Sequence, residues 1–437
     1  MRGASVEKIG LMTCLSLVIG SIIGAGIFVL PSTLAPLGPN ALIAWVISAG
    51  GALCLAYSLG RLVDPDGAGI YIYIQRAFGS HVAFVAAWAF WCGIWTTNAI
   101  LAVATISALS RAFPSVGNPA WTYTLAIAGV CILTVVNALG IRSAGRLQSL
   151  TVAIKVLPLL AVVVILAGKA GQGVPLQHLA PVAVTPGNVA LAATLTLFSL
   201  TGFENMTTPV GKVVNPGRTV PLAIMVGTTI VAILYLSSST AVALLLPVNQ
   251  VVGSSAPYSD AIAGAWGEGA ARATALCIAV SAWGCLNAGT LAAGELVLAM
   301  ANNHDLPRWL AWTRKNGTPV PAQIFCSALT IVVVLLNSSK DLAGIYTFVI
   351  LLATVGTLTM YFFGALAAFK KTTGLLRETV IALGLAFAIF AFWGSGATAL
   401  GWNIVLIAGG LAIRAIVKSV SSRSPAGSIQ PEVETPA

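Results

Sequence analysis

The most informative segment of the chain is Gly20-Ser21-Ile22-Ile23-Gly24-Ala25-Gly26-Ile27-Phe28-Val29-Leu30-Pro31. It places three glycines in a stretch that is otherwise apolar enough to cross a bilayer. A helix is expected to break there. Inside hydrocarbon a broken helix leaves N–H and C=O groups unpaired, which is tolerated only where the gap lines a buried or water-filled site. The segment therefore predicts either a ligand site at mid-membrane or a glycine-rich face for close helix packing.

The composition indicates a polytopic membrane protein. Hydrophobic residues make up 58% of the 437 residues and charged residues 8%, against about 25% charged in a typical soluble domain. Because each span needs roughly 20 apolar residues, we predict an all-α protein with about twelve transmembrane helices. The predicted spans are 9–37 (broken), 39–60, 82–110, 120–139, 147–169, 187–211 (broken), 220–246, 270–301, 320–337, 342–369, 377–394 and 399–417.

A second interruption, Phe198-Ser199-Leu200-Thr201-Gly202-Phe203-Glu204-Asn205, lies in the sixth span at a place that corresponds to the first. Paired interruptions in two halves of a chain point to an inverted-repeat transporter with its site between them. We predict a first repeat of helices 1 to 5 over residues 9–170 and a second of helices 6 to 10 over 187–369. Helices 11 and 12 follow over 375–418.

Basic residues predict the orientation. If residues 1–8 form a cytoplasmic N-terminus, most of the 22 Lys and Arg residues lie inside, and those that fall outside are Arg111, Lys169, Arg272 and Lys340. This positive-inside bias favours both termini in the cytoplasm, in the plasma (inner) membrane. It also explains the net charge of +10 without a nucleic-acid partner. Residues 419–437, rich in Ser, Pro and Glu, are predicted to be a disordered cytoplasmic tail.

Three ionisable residues are predicted inside the membrane, where they are costly and usually functional. They are Lys155 in the fifth span, Glu204 after the second break and Glu295 in the eighth span, and all three are candidates for coupling or gating. Burial disfavours the charged form of an amine, so one interpretation of Lys155 is a role in proton coupling. The other is a static amine hydrogen-bonded to carbonyls of the first broken helix.

No metal or cofactor site is predicted. The seven cysteines lie in apolar segments without metal-type spacing, and His81, His178 and His304 are far apart near predicted loops. A membrane enzyme would need a polar cluster, and a channel would need a continuous polar pore lining. Since the polar groups gather at the two breaks instead, both classes are remote alternatives to a transporter.

Several motifs in order resemble the amino acid–polyamine–organocation transporter family. They span residues 10 to about 325 and comprise Gly20–Pro31, the loop Gly67–Gly79 with Ala68 where a glycine is usual, Gly202-Phe203-Glu204, Val214–Ile224, Asp305-Leu306-Pro307 and Gly317–Ala322. Within the third span, the segment Phe90–Asn98 is similar to the aromatic-rich helix of the arginine/agmatine antiporter branch. The resemblance implies a LeuT-like fold of five plus five helices with two appended, and exchange of one amino acid or amine for another by alternating access.

The resemblance also implies a substrate site. The substrate carboxylate would meet N–H groups around Ala25 and Gly26, and Phe198 would close over the substrate. The amino group of the substrate would meet the backbone carbonyls of Ile22, Phe198 and Thr201. The spacing of three residues on a helix also predicts that Trp95 and Asn98 share one face and set the side-chain end of the pocket. The full implied set is Ile22, Gly24, Ala25, Gly26, Gly93, Ile94, Trp95, Asn98, Leu101, Phe198, Thr201, Gly202 and Gly289.

Departures from that branch leave the substrate open. The branch usually has serine at Ala25, tryptophan at Phe198 and a further tryptophan near Gly289, whereas Lys155 resembles the fifth-helix lysine of proton-coupled and neutral amino acid members. We therefore predict a secondary active amino acid/amine antiporter, with a proton-coupled symporter or exporter of neutral amino acids as the alternative. The predicted partners are a small amino acid or amine and the lipid bilayer, with protons a candidate coupling ion and a homodimer a candidate assembly.

Overall fold

A computed structural model describes residues 9–63, 69–116, 118–138, 144–207, 213–314, 317–337 and 342–423. Within them the chain is almost entirely helical. The helices are α1 (Leu11–Ile22), α2 (Gly26–Leu34), α3 (Pro39–Leu62), α4 (Gly69–Ala112), α5 (Pro119–Ala138), α6 (Ala144–Gly171), α7 (Pro186–Leu200), α8 (Pro216–Leu245), α9 (Val248–Gly253), α10 (Pro257–Asn302), α11 (Val320–Asn337), α12 (Leu342–Lys371), α13 (Leu375–Gly394) and α14 (Gly396–Arg423).

Helix length and hydropathy confirm a polytopic all-α membrane protein. In the described part of the chain, nine helices are long and apolar enough to span a bilayer, and the pair α1 and α2, bent by 42°, forms one more span. The shorter apolar helices α7 and α11 bring the number to the twelve that the sequence predicts. Between α1 and α2, Ile23 adopts an extended conformation with φ −74° and ψ 94°, which ends the first helix before Gly24.

The second break lies after α7, where Thr201 is extended and Gly202 has a φ of +121°. A short 3₁₀ turn over Phe203–Thr207 follows, and the next described element is α8. A non-glycine residue rarely adopts the backbone conformation of Gly202. The sixth span is therefore discontinuous, as the sequence predicts, at a position that requires a glycine.

Helices α4 and α10 each contain a sharp turn at a glycine. Gly79 has φ 83° and ψ 175°, and Gly267 has φ 84° and ψ 174°, so each long helix is a short segment joined to a span. Residues 69–78, expected as part of a loop, instead form the first segment of α4. The correction has a physical reason: Ile70, Tyr73 and Ile74 are buried at helical spacing, which favours an amphipathic helix.

The last helix extends further than the sequence predicts. Helix α14 continues to Arg423, so residues 419–423 are helical rather than part of the expected tail. The sequence contains no proline or glycine between Lys418 and Arg423 that would end the helix earlier. The rest of the predicted tail, the N-terminal residues 1–8 and the motif residues Gly67 and Ala68 lie outside the described residues. The repeat boundaries stay predictions.

Small residues bring the central helices into backbone contact. A Cβ at Gly356 of α12 would lie 2.3 Å from the Ala89 carbonyl oxygen, and one at Gly93 of α4 would lie 2.8 Å from the Ala353 carbonyl oxygen. Membrane helices commonly use such residues for close approach. This contact holds α4 and α12 together beside the two helix breaks.

Ion pairs close both ends of α10. At one end Arg414 of α14 donates to Asp305 at 2.7 Å, with side-chain exposures of 3% and 1%. Tyr71 also donates to Asp305 at 2.7 Å. At the other end Arg111 contacts Asp260 at 3.1 Å and Glu268 at 2.8 Å, with exposures of 26%, 24% and 63%. The first pair is buried and the second is open to solvent.

Candidate functional site

A cavity of about 110 Å³ lies at the second break, between α1, α4, α10 and α12. Eight of the predicted site residues line it: Gly93, Ile94, Asn98, Leu101, Thr201, Gly202, Glu204 and Gly289. Eight others that the sequence did not indicate complete the lining: Ser21, Phe90, Thr97, Asn205, Cys285, Ala288, Ala292 and Thr357. The wall is thus mixed, with hydroxyl, amide, thiol and carboxyl groups facing one small space.

The two helix breaks touch each other at this cavity. A Cβ at Gly202 would lie 2.6 Å from the carbonyl oxygen of Ser21 and 3.0 Å from the backbone nitrogen of Ile22. No side chain fits in that gap, and φ at Gly202 is positive. The sequence therefore needs glycine here for two reasons, namely close approach and backbone conformation.

Glu204 joins the second break to α12. Its Oε2 accepts a hydrogen bond from the Tyr361 hydroxyl at 2.5 Å and another from the Gly202 backbone N–H at 2.8 Å. Tyr361 is fully buried, Glu204 is 7% exposed, and the ring of Phe203 stacks on Tyr361 with centroids 5.0 Å apart. Two donors thus satisfy a buried carboxyl group that would otherwise be costly in this position. Any movement of the break must change the contact with Tyr361.

Asn98 of α4 contributes a hydrogen-bond acceptor without a partner to the cavity wall. Its side chain is 2% exposed, and its Oδ1 has no hydrogen-bond partner in the structure. A Cβ at Gly289 of α10 would lie only 2.1 Å from this Oδ1. The absence of a side chain at Gly289 therefore makes room for the Asn98 amide. The polar atom faces a wall in which a tryptophan would be expected from the resemblance.

Lys155 lies beside the cavity without lining it. It is fully buried on α6, its Nζ donates to the Gly20 carbonyl oxygen of α1 at 2.7 Å, and it lies 3.4 Å from the Cys285 sulfur of α10. The same sulfur is 3.4 Å from the Ile23 carbonyl oxygen and lines the cavity. The amine thus joins three helices at the first break. The contact with Gly20 is the one expected of a static amine, and proton coupling stays a prediction.

Six residues predicted to bind substrate do not line the cavity. The Phe198 ring packs on Gly26, where a Cβ would lie 3.0 Å from Phe198 Cε1. Two of the carbonyls assigned to the substrate amino group already accept hydrogen bonds, that of Ile22 from Tyr235 at 3.1 Å and that of Phe198 from the Thr201 hydroxyl at 2.7 Å. The six are Ile22, Gly24, Ala25, Gly26, Trp95 and Phe198. The role of these six residues in substrate binding stays a prediction.

Trp95 points away from the cavity. Its ring packs edge to face on Trp91, with centroids 6.1 Å apart, and its carbonyl oxygen accepts from the Thr330 hydroxyl of α11 at 3.3 Å. Residues three apart on a helix differ in direction by about 60°. The cavity-facing stripe of α4 includes Ile94 and Asn98, and this offset carries Trp95 out of it. This placement corrects the expectation that Trp95 shares the face of Asn98.

Glu295 differs from the other two intramembrane ionisable residues. Its side chain is exposed, and it has no hydrogen bond or ion pair with another residue in the part of the chain that the structure describes. It lies on α10 seven residues after Ala288, which lines the cavity, so both lie on nearly the same helix face. A role in coupling or gating for Glu295 stays a prediction.

Helical spacing could have identified some of the missed residues. Phe90 and Thr97 lie on the stripe of α4 that includes Asn98, and Cys285 and Ala292 lie on the stripe of α10 that includes Gly289. Extending each predicted residue by three or four positions would have found them. Thr357 and Tyr361 of α12 carried no such signal, because nothing in the sequence indicated that this helix borders the site.

Comparison with known proteins agrees with this architecture. The cadaverine/lysine antiporter of Escherichia coli K12 is 27% identical over 421 residues, which cover 92% of this chain and 93% of the relative. The serine/threonine exchanger SteT of Bacillus subtilis is 30% identical over 408 residues, covering 89% of each chain. The putrescine transporter PotE of Haemophilus influenzae is 23% identical over 417 residues, covering 92% and 95%.

The family of these relatives matches nearly the whole chain. The family described as amino acid permease matches residues 9–426, which include both helix breaks and every residue that lines the cavity. The relatives are membrane transporters rather than enzymes. The protein therefore belongs to the amino acid permease family and is a secondary amino acid or amine transporter.

Proposed function

We propose that the protein exchanges one amino acid for another amino acid or an amine, and that the cavity at the two helix breaks holds the substrate. Two relatives named for exchange, one for lysine and cadaverine and one for serine and threonine, support an antiporter. The cavity supports the location, because Ser21 precedes the first break and Thr201 and Gly202 form the second. The polar wall suits a small zwitterion or amine.

The observation that carries the proposal is the buried acceptor of Asn98. An unpaired buried polar atom costs about 1–3 kcal/mol, and Oδ1 has no hydrogen-bond partner among the residues that the structure describes. An ammonium or hydroxyl group of a substrate side chain would supply the missing donor. Because Glu204 is already bonded to Tyr361, we assign contact with the substrate side chain to Asn98.

We place the protein in the plasma membrane with both termini in the cytoplasm. The distribution of Lys and Arg supports this orientation. In it, the buried pair of Arg414 and Asp305 lies at the cytoplasmic end of the bundle, and the partly buried pair of Arg111 and Asp260 lies at the outer end.

Exchange in proteoliposomes tests the proposal. Purified full-length protein is reconstituted, and uptake of labelled lysine, arginine, serine, threonine and leucine is measured into vesicles that are empty or loaded with the unlabelled amino acid, cadaverine or putrescine. We expect saturable uptake of at least one substrate that rises when the lumen holds a substrate. Uptake that is equal in empty and loaded vesicles would contradict exchange.

A second candidate function is proton-coupled transport of neutral amino acids. The observation that favours it is the position of Lys155, whose amine bonds to the broken helix at Gly20 and to Cys285 in the cavity wall. The same vesicles with an imposed pH gradient separate the two functions. A pH gradient that drives accumulation into empty vesicles would favour this candidate over exchange.

A further inference from the structure

Arg414 of α14 binds the turn at Gly79, at the end of the bundle that is cytoplasmic in the proposed orientation. Its Nη2 donates to the Ser80 hydroxyl at 3.1 Å, its Nη1 lies 2.7 Å from Nδ1 of His81, and its Nε donates to Asp305 at 2.7 Å. Because Asp305 follows α10, the guanidinium joins the cytoplasmic ends of α4 and α10. We call Arg414 with these three partners the cytoplasmic clamp.

His81 must be neutral to take part in the cytoplasmic clamp. A guanidinium can only donate hydrogen bonds, so Nδ1 of His81 accepts and the ring carries its proton on Nε2. Protonation of Nδ1 would remove this acceptor and place a second cation against Arg414. His81 is exposed, so protons from the solvent reach it. An imidazole ordinarily changes its charge between about pH 5 and 8.

Two basic side chains already share one carboxyl group at the cytoplasmic clamp. Among the described residues, Arg414 and Lys418 of α14 both face Asp305, with Lys418 Nζ 3.6 Å from its Oδ1. The other oxygen of Asp305 accepts from the Tyr71 hydroxyl at 2.7 Å. His304, which precedes Asp305, is exposed. Because Arg414 and Asp305 are only 3% and 1% exposed, salt screens their charges weakly, and a further cation would be costly.

The turn at Gly267 has a corresponding arginine but no histidine. Arg111 of α4 lies 3.1 Å from Asp260, before the turn, and 2.8 Å from Glu268, after it. We call these three residues the outer clamp. Carboxyl groups ordinarily titrate near pH 4, so an acid pH that protonates an imidazole leaves such groups ionised. The outer clamp is therefore an internal reference for the cytoplasmic one.

We propose that the cytoplasmic clamp is a pH-sensitive link between α4 and α10, and that protonation of His81 opens it. Loss of the contact with Arg414 frees the turn at Gly79, so the start of α4 and the end of α14 separate more readily. Both linked helices line the substrate cavity, α4 with Asn98 and α10 with Gly289. Acid on the cytoplasmic side would therefore act on two walls of the cavity, whereas acid on the outer side would leave the outer clamp closed.

Hydrogen–deuterium exchange of the purified full-length protein tests the proposal. Amide exchange is measured by mass spectrometry at about pH 7.5 and about pH 5.5, which changes the charge of an ordinary imidazole, and is corrected for the intrinsic effect of pH. The variants are His81→Gln, whose amide oxygen can accept from Arg414 at either pH, and His81→Lys, which is charged at both. Since the chain has three histidines, the controls are His178→Gln and His304→Asn. Monodispersity in detergent checks the fold of each variant.

We expect acid to increase the opening of residues 69–84 and 409–420 in the parent and in both controls. Loss of a hydrogen bond to a charged group should raise the opening equilibrium by about 10- to 150-fold. His81→Gln should stay closed at both pH values, His81→Lys should be open at both, and residues 257–272 around the outer clamp should not respond. An equal response in His81→Gln or at the outer clamp would overturn the proposal, and so would loss of the response in His304→Asn.

Discussion

Gly79 in α4 and Gly267 in α10 have the same backbone conformation, with φ of 83° and 84° and ψ of 175° and 174°. Each glycine separates a short helix from a span, the first in α4 and the second in α10. The agreement of two distant residues within one degree in each angle supports the predicted relation between the two halves of the chain.

Replacing either of these glycines should destabilise the protein by strain alone. A Cβ at Gly79 or Gly267 would meet no atom within 4 Å, but non-glycine residues in this region of φ and ψ cost about 1–3 kcal/mol. Gly79→Ala and Gly267→Ala should therefore each lower the unfolding temperature in detergent. Gly269→Ala is the control, because it is helical and equally open, and we expect it to be neutral or stabilising. Equal changes in unfolding temperature at all three positions would show that backbone strain is not the cause.

The two glycines of the helix breaks should differ in tolerance. A Cβ at Gly202 would meet backbone atoms of Ser21 at 2.6 Å, whereas one at Gly26 would meet the movable Phe198 ring at 3.0 Å. We expect Gly202→Ala to abolish substrate binding, Gly26→Ala to retain it, and Gly26→Leu and Gly202→Leu to abolish it.

Binding is measured on purified protein that still elutes as a single species. Gly217→Ala, where a Cβ would meet nothing within 4 Å, should bind like the parent. Unchanged affinity in both leucine variants would move the site away from the helix breaks.

Asn98 and Gly289 should act as one unit in substrate selection. Asn98→Ala removes the unpaired acceptor, and Gly289→Ala pushes it aside because the new Cβ would lie 2.1 Å from Oδ1. Both variants should change the order of preference among amino acids more than the rate for the best one. In competition uptake assays the double variant should resemble either single variant, since neighbouring residues are non-additive. A uniform loss for every substrate would instead show that Asn98 is structural.

Lys155 offers a test of coupling. Lys155→Met keeps most of the side-chain volume but removes the donor to Gly20, and an unpaired buried carbonyl costs about 1–3 kcal/mol. If the amine couples transport to protons, the variant should bind substrate, lose the pH dependence of uptake and, like the parent, need no sodium. Lys169→Met, on the same helix, should keep the parent's pH profile. A parent without any pH response would leave Lys155 as a structural amine.

The two ion-pair clusters should contribute unequally to stability. Arg414→Ala leaves the 1% exposed Asp305 with Tyr71 and with the more distant Lys418 Nζ at 3.6 Å. Losing the close cation from a buried pair typically costs about 3–5 kcal/mol. Arg111→Ala breaks contacts with the more exposed Asp260 and Glu268, and such pairs contribute about 0–1 kcal/mol. Chemical unfolding of both variants in detergent measures the difference. Similar losses would mean that burial does not set the strength of these pairs.

The membrane class, the number of spans and the two interruptions can be predicted from the sequence. Apolar runs long enough to cross a bilayer and glycines that break them are local properties of the chain, so they can be read without knowing which helices meet. The same holds for the ionisable residues, because a charge inside an apolar run is evident from its neighbours alone. Lys155 and Glu204 were recognised in this way.

Which side chains contact one another depends on how the helices pack. Glu204 and Tyr361 are 157 positions apart, and Lys155 and Gly20 are 135 apart, so no local pattern connects them. The rotation of each helix about its axis also depends on packing, which turned Trp95 toward α11 and left Asn98 facing Gly289. A span surrounded by lipid and protein is apolar on all sides. Its sequence pattern therefore does not indicate which face lines the cavity.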